Sequence, residues 1–360
     1  MIDTSFDINQ WMLWLAGIYW FKVGIGILSA AIAFFGFRPG QQTDTRIPAF
    51  LIALILLFLL GLFPIEWGYS TDRANYANTF INIQQDGFGS SGNRFEIGFQ
   101  VLCFICGKFC TPAQFFFIIS LIYLGNYMTA ITRLADKNSY WLFICVVLSM
   151  GFTNYNTNTM RAGLAISFVV LALSKYPSVL KMAFCMAVAS SLHKSSMIPS
   201  MMIMISYFFN KTRLFYVMWF LAIPISFVFG GTFMALFADI SDDQRTSYLT
   251  KTLYTTYNTG FRIDFLLYSL APIATGAYFL FIRQYKSKFY HLIYNSYILT
   301  NIFWILVIKA NYSDRFAYLS WFMMPFVLLY PLIHKPDIVD NPKNWIAAIL
   351  IGETLFSIMI

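Results

Sequence analysis

The sequence has 360 residues, of which 59% are hydrophobic and 11% are charged, and its net charge is +8. Soluble domains carry about 25% charged residues, so this composition excludes a soluble globular protein. The basic residues are scattered and often stand at the ends of apolar runs, which indicates membrane topology and argues against nucleic acid as a partner. Apolar runs of membrane-spanning length recur without alternation, so we predict an all-α, polytopic integral membrane protein.

These apolar runs predict about 12 transmembrane helices in a single transmembrane domain, residues 1–360. The predicted helices lie at residues 8–37, 48–67, 112–133, 140–152, 160–174, 179–192, 195–209, 214–238, 263–282, 289–308, 316–333 and 345–360. The first lacks a basic n-region and a small-residue cleavage site, so we expect a retained helix and not a signal peptide. Residues 97–110 are apolar but short, so we expect a re-entrant or interfacial helix there. Two larger polar loops are expected at residues 67–97 and 239–262.

Loop charges give the orientation of these helices. If the N-terminus faces outward, the short inner loops contain far more basic than acidic residues, as the positive-inside rule requires. Both larger polar loops then lie on the outer face. Arg161 and His193 then lie near the outer ends of two adjacent apolar segments, where ionisable side chains are functional candidates. Lys22 is an exception, since it stands in the middle of the first predicted helix.

Three basic residues share an unusual position, the outward-facing N-terminal turn of an apolar helix: Arg161, Lys194 and Arg315. A helix N-terminus favours anions over cations, so this placement is consistent with an anion, such as a phosphate, bound between the three side chains. Arginine also binds phosphate through two parallel hydrogen bonds. Two alternatives stay open: the side chains reach lipid phosphates, or they pair with acidic residues such as Glu96.

His193 is the histidine that this topology puts on the outer side. A histidine close to a phosphate-binding pocket can act as a general base toward a sugar hydroxyl. Asp72 and Glu96 are acidic residues of the same side, and either can be the base or can orient the histidine. His193 can equally be a hydrogen-bonded interface residue, so both readings remain.

Cofactor and metal motifs are missing from the sequence, which has no Walker A loop, no GxGxxG and no zinc-ligand spacing. The cysteines between residues 103 and 110 share a helical face, but no further His or Cys completes a metal site. We therefore expect them to pack in the helix interface, and we expect no cofactor. The second polar loop contains three aspartates, Asp239, Asp242 and Asp243, so a metal site in this loop remains an alternative.

Several short motifs follow one another along the chain. After the second predicted helix come Gly68-x3-Asp72-x3-Tyr76 and then Phe95-Glu96-Ile97-Gly98-Phe99. The most specific motif is Asn158-x2-Arg161-Ala162-Gly163-Leu164-Ala165, and it is followed by His193 with Ser195, Ser196 and Pro199, and by Arg315 before Tyr318. In these motifs the sequence resembles the EpsG family, within the Wzy-type polysaccharide polymerases, over residues 48–330.

This resemblance implies a GT-C-like glycosyltransferase architecture and a polymerase of O-antigen or exopolysaccharide repeat units. The implied substrate is an undecaprenyl-diphosphate-linked oligosaccharide, which serves as donor and acceptor at the outer face of the bacterial inner membrane. Since the lipid diphosphate is the leaving group, neither a nucleotide sugar nor a bound metal is needed. The other implied partners are membrane lipids and a chain-length regulator protein.

The resemblance also implies roles for individual residues. The implied ligands of the donor diphosphate are Arg161 and Arg315, with Arg73 or Lys194 assisting. The implied general base is His193, with Glu96 or Asp72 as its rival. Family members often have an arginine just before the Gly-x3-Asp motif, where this chain has Pro64-Ile65-Glu66, and Arg73 can substitute for it.

Two other functions fit much of the same sequence. A ligase would transfer the finished glycan to a different acceptor with similar chemistry. A transporter or flippase of the lipid-linked glycan would carry internal repeats and charges near the middle of the bilayer. We see no convincing repeat, and most charges stand toward the outer side, which favours the polymerase. A membrane acyltransferase is a weaker alternative.

Overall fold

The computed structural model describes residues 7–36, 44–67, 71–89, 95–240 and 260–359. These residues form helices and connecting turns without a strand, which confirms the predicted all-α class. Within them, five helical stretches are long and apolar enough to cross a membrane: Ile8–Gly36, Pro112–Leu148, Thr212–Leu236, Ile263–Ile282 and Ser313–His334. Their length and composition identify the chain as an all-α membrane protein.

The helices belong to two compact units, one formed by Met1–Met197 with Leu332–Ile360 and the other by Ile198–Pro331. We call them unit 1 and unit 2. The helices of unit 1 are α1 (Ile8–Gly36), α2 (Arg46–Gly61), α3 (Asp72–Asp86), α4 (Ile97–Gly107), α5 (Pro112–Ala135), α6 (Ser139–Leu148), α7 (Asn154–Thr157), α8 (Met160–Leu173), α9 (Val179–Leu192) and α16 (Pro342–Met359). The helices that fall mainly in unit 2 are α10 (Met197–Phe208), α11 (Thr212–Ile240), α12 (Ile263–Ala277), α13 (Lys288–Leu306), α14 (Ser313–Trp321) and α15 (Met324–His334).

Unit 1 is built around α8, which packs against α5, α7 and α9. Helix α4 packs against α3 and α9. Since α9 also packs against α8, helices α4 and α8 share α9 as a neighbour. Helix α5 begins at a capping box, in which the Thr111 hydroxyl accepts from the Gln114 amide and the Gln114 side chain accepts from the Thr111 amide. Helix α6 is buried along its whole length and forms part of the core of this unit.

Helix α3 forms inside the stretch that we expected to be a polar loop. It begins after Thr71, whose hydroxyl accepts a hydrogen bond from the Ala74 amide at 3.3 Å. It ends at Gly87, which adopts φ 89°, a left-handed backbone that favours glycine. Its buried face includes Tyr76 and Phe80. The many polar residues between these positions hid the helical spacing, and the helix is held by its caps and by packing on α4.

Other predicted segments differ in detail. The apolar segment at 97–110 forms α4, whose 11 residues are fewer than the roughly 20 that a span requires. The segment predicted at 316–333 divides into α14 and α15. The second predicted loop begins later than expected because α11 continues to Ile240, and residues 241–259 lie outside the described residues.

In unit 2, α13 packs against α11 and α14, and a buried polar network joins these helices. The Asn301 side chain accepts from the Trp219 indole at 2.7 Å. Its amide nitrogen donates to the hydroxyls of Ser269 and Ser320, at 3.1 and 3.0 Å. Because unsatisfied polar groups are costly away from water, such a network fixes how the helices align.

Candidate active site

Glu96 occupies the N-cap position of α4 but does not cap its own helix through its side chain. One carboxylate oxygen pairs with the Arg161 guanidinium. The other accepts a hydrogen bond from the Lys194 main-chain amide at 2.9 Å and lies 3.2 Å from Nδ1 of His193. The structure thus brings together four of the seven residues that the sequence pointed to, and Glu96 is at their centre. We call Glu96, Arg161, His193 and Lys194 the carboxylate cluster.

A glycine sets the distance between Glu96 and His193. A Cβ atom on Gly98 would overlap the Ser191 side chain and lie 2.7 Å from the Ser191 carbonyl oxygen. Only a glycine lets α4 approach the end of α9 this closely. Since Gly98 is two residues after Glu96 and Ser191 is two before His193, this approach brings the carboxylate to the imidazole.

A second close approach fixes Arg161. The short helix α7 folds back on the first turn of α8, where a Cβ on Gly163 would overlap the Tyr155 carbonyl oxygen. Ser120 of α5 donates to the Asn156 side-chain oxygen at 2.6 Å and ties α7 to the core. Arg161 therefore starts from a backbone that is packed on both sides.

Aromatic rings surround the Arg161 guanidinium. Its central carbon lies 4.5 Å from the ring centre of Phe95 and 6.0 Å from those of Tyr76 and Phe99. The arginine is only 1% exposed, so its charge is removed from water and interacts strongly with the rings and with Glu96. Sequence reasoning did not assign these three rings to the site, although they lie within the motifs that carried the resemblance.

Electrostatics keep Glu96 ionised. Burial alone would raise the pKa of its carboxyl group, but the His193 hydrogen bond, the Arg161 charge and the Lys194 amide outweigh burial and lower the pKa to about 2. A carboxylate of this kind is a weak base near neutral pH. Its geometry instead suits a second role, which is to orient the imidazole through Nδ1 and to stabilise a positive charge on it.

One side of the carboxylate cluster is accessible. His193 ends α9 in extended backbone conformation, just before the turn Lys194–Ser196. Its side chain is 16% exposed, against 1% for Arg161, and the Lys194 residue is exposed. A ligand that approaches this cluster would therefore meet the histidine and the lysine before it met the arginine.

The EpsG family profile matches residues 49–360, which is most of the chain and includes the whole carboxylate cluster. The chain belongs to the EpsG family. This is a family of Wzy-type polysaccharide polymerase-like proteins, so the resemblance drawn from short motifs is confirmed. The match starts after α1. No curated protein matches the chain at a significant level, and no solved structure does.

Three predicted site residues of this EpsG-family protein lie outside the carboxylate cluster. Asp72 begins α3 one turn before Tyr76 and is half-buried. The Arg73 guanidinium is 1% exposed and donates to the Phe63 carbonyl oxygen at 2.7 Å. Burial lowers the pKa of Arg73 to about 9, which still leaves it charged at neutral pH. Arg315 belongs to unit 2, where its guanidinium carbon lies 5.1 Å from the Tyr312 ring centre.

Within the described residues, no group of three or more His, Cys, Asp or Glu side chains is placed to hold a metal ion. All five cysteines are unbridged and buried. The sequence left a metal site at Asp239, Asp242 and Asp243 as an alternative, and the side chains of these residues lie outside the described part of the structure.

Proposed function

We propose that this protein is a membrane glycosyltransferase that polymerises undecaprenyl-diphosphate-linked oligosaccharide repeat units. The observation that carries the proposal is the carboxylate–imidazole pair of Glu96 and His193, held by the buried Arg161 beside the exposed Lys194. Membership of the EpsG family supports a polysaccharide polymerase-like activity. The cluster adds a base, an orienting carboxylate and a cation, which are groups that glycosyl transfer from a diphosphate requires.

The proposed reaction exchanges a glycosyl–phosphate bond for a glycosidic bond. The acceptor hydroxyl of one lipid-linked unit attacks the anomeric carbon of the growing chain. A new carbon–oxygen bond forms there, and the bond between that carbon and the diphosphate oxygen breaks. The hydroxyl proton goes to the base, and undecaprenyl diphosphate leaves with the bonding electron pair. No oxidant, reductant or nucleotide takes part.

We assign the base to Nε2 of His193, because Nδ1 faces the Glu96 carboxylate. Glu96 orients the ring and stabilises the imidazolium that forms, while the His193 hydrogen bond and the Arg161 charge keep Glu96 ionised. Lys194 is the exposed basic residue of the carboxylate cluster, and we assign it to the departing diphosphate. The role of Arg315 as a diphosphate ligand stays a prediction from the sequence. Asp72 remains the alternative base.

The proposal includes a location. Positive-inside loop charges support an outward N-terminus, so the carboxylate cluster would face the periplasm from a multi-pass protein of the bacterial inner membrane. A GT-C-like architecture with about 12 spans belongs to the same proposal. A cysteine introduced at Lys194 tests the orientation, because it should react with a membrane-impermeant thiol reagent in intact cells whose outer membrane has been permeabilised.

The activity can be tested with the full chain in proteoliposomes that receive only lipid-linked repeat units. We expect a ladder of longer glycans and release of undecaprenyl diphosphate. His193→Gln should keep a hydrogen bond to Glu96 but lower the rate by about 100-fold or more, because the base is lost. The matched control is His291→Gln, since His291 is also half-buried and hydrogen-bonded, to the Thr212 hydroxyl at 2.9 Å, but belongs to unit 2.

Two results would contradict the proposal. If wild-type protein forms no chains from lipid-linked units but moves a glycan to a different acceptor, the protein is a ligase. If His193→Gln polymerises as fast as His291→Gln and both melt at the wild-type temperature, His193 is not the base. In that case Asp72→Asn is the variant that should stop chain growth.

A further inference from the structure

The second buried arginine is Arg73, whose guanidinium group is enclosed by protein groups. Its guanidinium carbon lies 4.4 Å from the ring centre of Phe116 and 5.5 Å from that of Phe63. The residue is 1% exposed, so its N–H groups, which are the groups that a diphosphate would bind, do not face solvent. A charge buried this deeply needs acceptors from the protein itself.

Those acceptors are main-chain oxygens from two places in the chain. Nη2 donates to the Phe63 carbonyl just after α2, at 2.7 Å. Nη1 faces the carbonyl oxygens of Asn156 and Thr157, at 3.5 and 3.4 Å, and the Met160 sulfur at 3.3 Å. The carbonyls of Asn156 and Thr157 are the last two of α7, a helix of four residues. Carbonyls at the end of a helix favour a cation, so Arg73 acts as their cap.

The segment that Arg73 caps leads directly to Arg161. Thr157 ends α7, Met160 starts α8, and Arg161 is the next residue. The same segment is also held by the close approach of Gly163 to the Tyr155 carbonyl oxygen. Arg73 therefore helps to hold the turn from which Arg161 reaches Glu96.

We propose that Arg73 is a positioning residue, which fixes the turn between α7 and α8 and thereby places Arg161 against the Glu96 carboxylate. This inference rests on the proposed function for its kinetic consequences, but its structural part can be tested without activity. It gives Arg73 a different role from direct diphosphate binding, which its motif had suggested. A guanidinium fork is required because two separate groups of carbonyls have to be reached at once.

Rates of chain growth test the kinetic part. Arg73→Met should lower the rate about tenfold or more, since misplacing a catalytic group by an ångström is enough for such a loss. Arg73→Lys should recover part of it, because an ammonium reaches one group of carbonyls. In an Arg161→Met background, Arg73→Met should cause no further loss, since it acts through Arg161. A multiplicative loss in the double variant would overturn the proposal.

The packing control is Ile83→Ala, which removes buried apolar contacts from the same helix and leaves the guanidinium in place. We expect it to lower thermal stability but to keep the rate within about twofold of wild type, because no catalytic group moves. If Ile83→Ala and Arg73→Met slow the reaction equally at equal stability, Arg73 has a general structural role and the proposal fails.

An activity-independent measurement separates this inference from the proposed function. The chain has three histidines, so ¹⁵N-histidine NMR of the full protein in nanodiscs can follow the His193 ring. Glu96→Gln identifies its signal. The signal should shift in Arg73→Met and in Arg161→Met, and should stay in place in Ile83→Ala. A shift without any polymerase activity supports the positioning role and refutes the proposed function. An unchanged signal in Arg73→Met, with a shifted one in Arg161→Met, overturns the positioning role.

Discussion

Two arginine–carboxylate pairs in this protein have the same chemistry and different surroundings. Arg161 pairs with Glu96 in unit 1, and Arg262 pairs with Asp264 in unit 2, where Nη2 and Oδ2 are 2.5 Å apart. Both guanidinium groups also face a phenylalanine ring. The side chains of the first pair are 1% and 9% exposed, and those of the second are 20% and 49% exposed.

The difference shows that geometry alone does not tell what an ion pair contributes. Arg262 and Asp264 are two residues apart at the start of α12, so the pair forms locally and stays in contact with water. The partners of the first pair are 65 residues apart, and only packing of α4 and α8 on their neighbours brings them together. Loss of one partner leaves a desolvated charge in the first case and a hydrated one in the second.

The largest expected effect is therefore that of Arg161→Met. It leaves the Glu96 carboxylate without its cation in a buried place, and we expect a loss of about 3–5 kcal/mol in the free energy of unfolding. Arg262→Met should lose less than about 1 kcal/mol. Thermal or denaturant unfolding of both variants in the same detergent measures the contrast. Equal losses would mean that burial does not distinguish the two pairs.

The sequence predicted the site best where the contacts join two side chains. Glu96, Arg161 and His193 were each named from it, and the structure brings them within contact distance. The bounds of α9 were also predicted, because a polar residue stands directly before and directly after its apolar run.

The sequence predicted contacts less well where a side chain bonds to a main-chain atom. The acceptors of Arg73 are carbonyl oxygens, which every residue has, so no residue type marks them. Helix α3 was missed for a related reason, since its Thr71 cap and Gly87 end are ordinary loop residues until the helix is seen. Tyr76 was quoted in a motif but was not assigned to the site, because its contact with Arg161 depends on that helix.

A change at the carboxylate of the first pair is expected to have the next largest effect. Glu96→Gln keeps the shape and one acceptor oxygen, which can still bond Arg161, but it loses the charge and the acceptor on the other side. We therefore expect a loss of about 1–2 kcal/mol at neutral pH. The effect should depend on pH in a known direction. Because the folded protein lowers the pKa of Glu96 from 4.5 to about 2, the ionised group stabilises the fold fully above pH 4.5, and this contribution disappears as pH falls toward 2.

The measurement is the unfolding midpoint of wild type and Glu96→Gln from pH 7 to pH 3. The two curves should run parallel above pH 5 and approach each other below pH 4.5, because protonated Glu96 no longer has the advantage of its charge. Glu66→Gln is a control on a carboxylate that hydrogen-bonds the Trp11 indole and lies outside the carboxylate cluster. A gap that widens toward acid in Glu96→Gln would show that Glu96 is held neutral in the folded state.

The smallest expected effect is that of Asp264→Asn, which breaks the exposed pair. Because water hydrates both partners and their attraction is screened, we expect a loss of about 0.2–1 kcal/mol at low ionic strength. At about 1 M salt the screening length falls to about 3 Å, so this loss should vanish. The loss in Arg161→Met should persist in the same salt, since ions do not reach a buried pair. If salt removed both losses equally, the Glu96–Arg161 pair would be open to solvent, and its role in holding the imidazole would have to be given up.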